Sequence, residues 1–230
     1  MIHNPNFEHE KIKRVMQITK DLLKTPLAET RILDFGCGHG WYSIQAALLG
    51  AEVLGMDGRT VRMKGAITDT EKLGLKLAFE QVDIRQVSVL THGRADVIFF
   101  LGILYHLDAP EVFRVLGNVH AMCRQFVIID THTALSGGAT VEYLGEVYQG
   151  ESVVEHSEED SQAVRLSRQK ASLDNAFSFY FTRESLFRLL GNTGFTSVYQ
   201  CQVPHELQKP VDRITLVAMK GEGNGKKGMV

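Results

Sequence analysis

Residues 31–41 read RILDFGCGHGW: an apolar run, an aspartate, then Gly36, Gly38 and Gly40 in alternation before an aromatic residue opens the next segment. An apolar run that ends in glycines is a strand leaving a sheet. Glycine is needed where the backbone turns sharply and meets a ligand with no side chain between, and the helix that follows presents unbonded amide groups to a polar or anionic moiety. The stretch therefore reads as a strand, a nucleotide-type cradle and a helix start. A dinucleotide fingerprint beginning at Gly36 wants a third glycine at position 41, where this chain has Trp41. A phosphate-binding P-loop needs Gly-Lys-Ser/Thr, which does not follow.

Outward from that loop the chain alternates. A helical stretch over 41–50 is followed by a strand, EVLGMDG (52–58), a helix over 61–73, and the strands LAFEQVD (77–83) and ADVIFFLG (95–102). A helix over 109–123 and the strand QFVIID (125–130) complete the run. Strands that are apolar throughout and alternate with helices predict a parallel sheet covered on both faces. Ahead of it, Ile12, Val15, Met16, Thr19, Leu22 and Leu23 recur at helical spacing, which predicts an amphipathic helix over 8–24. The alternation stops after Asp130, so 131–181 is expected to be an insertion over the end of the sheet, irregular in course up to about 175 and supplying a substrate lid. Thr182 caps a final helix closed by Gly191 or Gly194, with Phe181 stapled onto Leu186. SVYQCQV (197–203) and RITLVAM (213–219) form a closing antiparallel hairpin, and 220–230 is expected to be a disordered tail. All of 1–219 then forms one domain.

The totals narrow the function. With 230 residues, 44% apolar and 23% charged, the chain can bury one sizeable core. A formal net charge of −2 and scattered basic residues argue against a nucleic-acid partner. No apolar run approaches the roughly 20 residues that span a bilayer, and the start lacks a signal-peptide pattern. A cytoplasmic protein without a membrane partner is expected, its oligomeric state open, with a homodimer among the options. Cys37, Cys123 and Cys201 are too few and too scattered for a disulfide framework.

Three aspartates end three successive strands: Asp34, Asp57 and Asp83. All point to the crevice where open α/β sheets bind ligands, and an acidic side chain at the end of the second strand suits ribose hydroxyls. For a lone aspartate a turn or cap role would be the better reading; with the glycines, the set indicates a nucleoside site.

At this point the chain resembles the class I S-adenosylmethionine-dependent methyltransferases. ILDFGCGHG (32–40) looks like their first motif, GMDG (55–58) their second, VDI (82–84) their third and DVIFFLGILYHL (96–107) their fourth. The resemblance implies a Rossmann-like sheet of seven strands, mostly parallel with the last antiparallel, helices on both faces and an inserted lid. It implies S-adenosylmethionine as cofactor, with Asp34, Gly36, Cys37 and Gly38 beside its methionine part and Asp57, followed by Gly58, on the ribose diol. It further implies Asp83 and Ile84 around adenine, and Leu101 and Gly102 under the cofactor. Methyl transfer is an in-line displacement, and the acceptor must be positioned and usually deprotonated. The fourth strand delivers Tyr105 and His106 beside the methyl group. His106 can take the proton and Tyr105 can orient the acceptor or touch the cofactor. The competing reading has Tyr105 packing and His106 capping the next helix. His132, two residues past the predicted fifth strand, is a third candidate on the same rim.

The expected function is methyl transfer to oxygen or nitrogen of a small-molecule acceptor. LGILYHL also resembles the tRNA wobble-uridine carboxymethyl-transferring branch, whose pattern carries Leu101 and Tyr105 over to the cofactor. A tRNA-modifying alkyltransferase and a catalytically silent cofactor-binding partner subunit are the alternatives. The acidic run EHSEED (155–160) could close over a cationic substrate or be a solvated face. A metal held by Asp130, His132 and His156 lacks ligand spacing, so no metal site is assigned.

Overall fold

The computed structural model describes residues 5–202 and 209–221. Its helices are α1 (Pro5–Leu22), α2 (Trp41–Leu48), α3 (Thr60–Leu73), α4 (Val89–His92), α5 (Glu111–Met122), α6 (Gln162–Ser167) and α7 (Arg183–Thr193). Its strands are β1 (Arg31–Phe35), β2 (Glu52–Asp57), β3 (Leu77–Gln81), β4 (Ala95–Leu101), β5 (Cys123–His132), β6 (Ala139–Tyr143), β7 (Glu146–Val154), β8 (Phe177–Phe181), β9 (Ser197–Gln200) and β10 (Arg213–Met219). Seven strands form the main sheet in the order β3-β2-β1-β4-β5-β10-β9. β1 to β5 pair in parallel; β10 runs antiparallel to both β5 and β9. The expected sheet, with its last strand reversed, is what the chain forms.

The strands carry apolar residues on both faces because both are covered. Val97 and Phe99 of β4, Phe126 and Ile128 of β5 and Val217 of β10 pack on one side with Val15, Met16 and Ile18 of α1 and with Ala46 and Ala47 of α2. Ile98 and Phe100, Val127 and Ile129, and Leu216 pack on the other with Val115, Leu116 and Val119 of α5 and Leu186, Leu189 and Leu190 of α7. Phe181 and Leu186, the predicted staple, lie in that second core. Thr182 caps α7 by accepting from Ser185 N at 3.3 Å, and Gly194 ends it with φ +114°.

The insertion is regular where the sequence reading expects an irregular course. β6, β7 and β8 make a three-stranded antiparallel sheet. Leu144 and Gly145 form the two-residue turn between β6 and β7, both with positive φ (51° and 81°). Such a turn ordinarily carries Asn-Gly, which is why its spelling gives no hairpin signal. Tyr148, Phe179 and Phe181 bury one face of the small sheet against Phe113 of α5 and so extend the main core. Gly150 lets β8 cross closely, since a Cβ there would lie 2.2 Å from Tyr180 O.

Lys220 and Gly221, expected in the tail, are instead bonded to the rest of the fold. Lys220 N donates to Gln125 O at 2.7 Å and Gly221 N to Thr196 Oγ1 at 3.0 Å. Positions 222–230 and the loop containing Pro204 lie outside the described residues. Among the described residues no helix is long and apolar enough to cross a membrane.

Candidate active site

The C-terminal ends of β1, β2, β4 and β5 form one rim, and antiparallel β10 begins on it, with Arg213 beside His132 in register. The glycine loop is built from β1 outward. Gly36, Gly38 and Gly40 adopt φ of +67°, +56° and +71°, a region L side chains rarely enter. Space forbids side chains as well: a Cβ on Gly40 would lie 2.7 Å from the Phe79 ring, and one on Gly36 2.9 Å from Ile103 Cδ1. Cys37 N donates to Met56 O at 2.9 Å, which ties the loop to β2. Burial pushes the Cys37 thiol far above its ordinary range, so Cys37 contributes shape and not a nucleophile.

Two aspartates lie beneath the loop. Asp57 is buried and accepts from Gly38 N at 2.9 Å and from Arg59 N at 2.8 Å, one bond on each oxygen. Each oxygen keeps acceptor capacity for a further hydroxyl. Asp34 is buried too and accepts from Ser43 Oγ at 2.6 Å. Burial pushes its carboxyl up to about 7, with the Asp57 charge adding to the rise against the Ser43 hydrogen bond.

Asp83 departs from expectation. β3 stops at Gln81, and Asp83 caps a short 3-10 turn over 84–86 by accepting from Arg85 N at 2.9 Å. Its carboxylate also pairs with the Arg85 guanidinium at 2.9 and 2.6 Å, and Arg85 reaches on to Asp174 of the insertion at 2.8 Å. Burial would raise the Asp83 carboxyl, but these bonds from Arg85 hold it below the usual range. Ile84 is buried in the main core. Gly102 has φ +74° and donates its amide to Asp130 O at 2.8 Å, turning the chain as it leaves Leu101.

Tyr105 and His106 follow in a 3-10 turn over 104–106. Tyr105 packs among rings: His106 at 4.3 Å, His132 at 4.8 Å and Tyr180 of β8 at 5.7 Å between centroids. Burial raises its hydroxyl, partly opposed by Arg213, so the phenol stays protonated near neutrality. His106 does not cap the following helix. Its Nδ1 lies 2.8 Å from Glu155 Oε1, one residue past β7. An ionised carboxylate only accepts, so Nδ1 carries a proton, and in the neutral ring the lone pair then lies on Nε2. Glu155 is fixed in turn by Ser172 N, which donates to Oε2 at 2.9 Å. Burial alone would raise the Glu155 carboxyl, but the His106 bond outweighs it and holds it low.

His132 lies within β5, since that strand runs two residues beyond its predicted end. Its Nδ1 lies 2.7 Å from Asp212 Oδ2, and Arg213 Nη1 approaches Nε2 at 3.4 Å. Both ring nitrogens are thus engaged. Arg213 Nε also donates to Asp130 Oδ1 at 2.6 Å, and Lys209 Nζ to Oδ2 at 3.1 Å. Burial would raise the Asp130 carboxyl, yet Arg213 and Lys209 bring it down to about 2. His156 is buried inside the insertion and bonds Ser172 O at 3.0 Å. Asp130 and His156 are therefore each engaged in separate networks.

The structure brings together the glycine loop with Asp34 and Asp57, and separately Tyr105, His106 and His132. Sequence reasoning missed Glu155, Ser172, Asp212, Arg213 and Arg59, while Tyr180 belongs to the aromatic stretch 175–182 whose spelling suggests a pocket wall. Glu155 opens the acidic run 155–160, and its placement after the alternating residues of β7 was the available signal. That run is no open acidic face throughout: Glu155 serves His106, His156 is buried, and Asp160 pairs with Arg168 at 3.0 Å.

Comparison with known proteins adds the following. Residues 7–200 match the family described as "Methyltransferase domain". Curated relatives include the ubiquinone biosynthesis O-methyltransferase of Nitrosococcus oceani, 32% identical over 101 residues, which is 44% of this chain and 40% of that protein. The protein of the same name from Psychrobacter cryohalolentis is 31% identical over 110 residues, 46% of this chain and 42% of its own length. The chain thus spans only about two fifths of the curated relatives it matches. Among solved structures, the N-terminal domain of EvdMO1 with SAH and D-fucose superposes with a TM-score of 0.72 at 23% identity, covering 92% of this chain and 83% of that one. Magnesium protoporphyrin IX methyltransferase from Synechocystis PCC 6803, with bound SAM, gives 0.61 at 16% identity, covering 94% and 80%. At such identities the likeness is one of fold.

Proposed function

Because the chain belongs to the methyltransferase-domain family, we propose that it moves a methyl group from S-adenosylmethionine to a hydroxyl oxygen of a small molecule, with His106 as general base. The observation that carries this reading is the 2.8 Å bond from His106 Nδ1 to Glu155, which directs the lone pair to Nε2. The relatives named as O-methyltransferases, and the fold-mate solved with SAH and D-fucose, support a hydroxylated small molecule.

The residues on the rim fit the cofactor. S-adenosylmethionine, when bound, supplies an electrophilic methyl on a sulfonium, along with a ribose diol and a zwitterionic tail. Asp57, with acceptor capacity left on both oxygens, suits the diol, and Gly58 follows it without a side chain. The loop Gly36-Cys37-Gly38 offers a backbone surface that a Cβ would block. Asp34, holding Ser43 beneath the loop, lies on the methionine side, Leu101 and Gly102 form the floor, and Asp83 and Ile84 mark the adenine end. His106 Nε2 would take the proton of the acceptor hydroxyl as that oxygen receives the methyl that the bound cofactor would supply, the sulfur leaving as the neutral thioether. Glu155 stabilises the resulting imidazolium. Tyr105, protonated and walled by rings, orients the acceptor. His132, pinned between Asp212 and Arg213, shapes the pocket and is not a second base, which narrows the role expected for it. The insertion, with Tyr180, closes the acceptor side.

The similarity of LYH at 104–106 to a tRNA-modifying branch meets a chain of net charge −2 with an acidic insertion, which does not favour RNA. Titration calorimetry with S-adenosylmethionine and S-adenosylhomocysteine, followed by methyl-release assays on catechols, deoxysugars, amines and tRNA, tests the reading. Binding with turnover on hydroxylated acceptors supports it. Turnover on tRNA or amines alone, or binding without turnover on any of them, overturns it.

A further inference from the structure

The cofactor rim and the proposed base are joined by an unbroken chain of hydrogen bonds that runs through the insertion. Arg59 N donates to Asp57 Oδ1 at 2.8 Å, while the same residue's Nη2 donates to Ser172 O at 2.7 Å. Ser172 N donates to Glu155 Oε2 at 2.9 Å, and Glu155 Oε1 accepts from His106 Nδ1 at 2.8 Å. The Arg59 guanidinium is spent on the insertion's backbone: Nε donates to Leu166 O at 3.1 Å and Nη2 also reaches Ala171 O at 3.3 Å. Arg59 is buried although its side chain makes no direct ion pair among the described residues. Burying a guanidinium against carbonyls is costly unless its planar fork is matched by several acceptors, as it is here.

Neighbouring contacts run the same way. Leu173 packs on Gly58, where a Cβ would lie 2.9 Å from Leu173 Cδ1. Asp174 pairs with Arg85, the partner of Asp83. Asn175 Nδ2 donates to His106 O at 3.1 Å. Four successive residues of the insertion thus touch the ribose side, the adenine side and the turn that holds the base.

We propose that Arg59 is a positioning residue for the transfer: it clamps residues 166–172 onto the cofactor rim and thereby places Glu155 where it locks His106 with its proton on Nδ1. The proposal rests on the reading of His106 as the base. Arg59 touches neither reacting atom and acts through Ser172 and Glu155. A residue that merely anchored the insertion would affect stability without altering which nitrogen of His106 is protonated.

The test uses the full chain with 15N-labelled histidine, the His106 signals being assigned by their loss in His106→Gln. In the native protein His106 should show the Nδ1–H tautomer, with or without S-adenosylhomocysteine. Glu155→Ala should shift it to a mixture of tautomers. Arg59→Met should do the same while affinity for S-adenosylhomocysteine stays within about threefold, because the main-chain N–H that Asp57 accepts is retained. Arg59→Lys, which keeps the charge but not the fork, covers the case in which the methionine variant does not fold, and should give an intermediate mixture. A His106 that stays in the Nδ1–H form in folded Arg59 variants overturns the proposal and leaves the proposed function standing. Failure of the native protein to bind S-adenosylhomocysteine overturns the proposed function, and this inference with it.

Discussion

The two aspartates beneath the glycine loop and the carboxylates of the acceptor side are held in different ways. On the cofactor half, Asp34 rests on a serine hydroxyl and Asp57 on two main-chain amides. On the acceptor half each carboxylate meets a basic side chain: Glu155 with His106, Asp212 with His132, and Asp130 with Arg213 and Lys209. Main-chain amides hold Asp57 with no cationic side chain paired to it among the described residues, whereas burial raises Asp34 to about 7 and Arg85 pairs with Asp83, so the charge beneath the glycine loop rests chiefly on Asp57. On the acceptor side Glu155 and Asp212 each fix the orientation of a histidine ring, while Arg213 and Lys209 pair with Asp130. A single sheet edge thus offers two electrostatic environments, decided by what each carboxylate is bonded to.

The strongest way to break this comparison is to remove the proton acceptor. His106→Ala should lower turnover by about 10² to 10⁴, the usual worth of a general base, while binding of S-adenosylmethionine by calorimetry is unchanged. A loss of cofactor affinity of the same size would mean that the halves are not separable.

Stability against pH should distinguish the halves by sign. Asp34, raised to about 7 by burial, has a folded value above its unfolded one, so its contribution is full below about pH 4 and is lost as pH rises through 7. The loss is on the order of 4 kcal/mol, and Asp34→Asn should flatten urea-unfolding stability between pH 5 and 8 if Asn can accept from Ser43 as the acid does. Cofactor affinity is more local: Asp57→Ala should weaken S-adenosylhomocysteine binding by about 1.5–3 kcal/mol, because ribose hydroxyls would lose a charged partner in a dry crevice. Asp130 behaves in the reverse sense to Asp34. Burial opposes its ionisation, but Arg213 and Lys209 bring it down to about 2, so it adds stability above pH 4 that disappears as pH falls toward 2. That contribution is about 2 kcal/mol and should be absent from the acid limb of Asp130→Asn, measured by urea unfolding from pH 5 to 2.5.

The same division explains what could be read from the residues alone. Asp34, the glycines and Asp57 lie within 24 positions of one another, and their spacing follows from a strand, a turn, a helix and a strand, so local chemistry reveals them. The acceptor half depends on distant pairings: His106 with Glu155 at a separation of 49 residues, His132 with Asp212 at 80. Nothing in periodicity joins such partners. The insertion escaped because only one face of its sheet is buried, and because Leu144-Gly145 turns a hairpin without the usual residues. Asp83 was placed correctly in the chain but assigned to a strand end; Arg85, two residues on, draws it into a capped turn.

One property of the small sheet bears on how this protein could diverge. Tyr148, Phe179 and Phe181 commit one side of it to the interior, while Glu151, Val153, Ser178 and Tyr180 lie on the opposite side, set by the register of β7 and β8. Ser178 is buried there, but Glu151, Val153 and Tyr180 are only partly so, and substitutions at those three can be sampled with less penalty to folding. Change can therefore accumulate at those positions while the packed side keeps the scaffold intact.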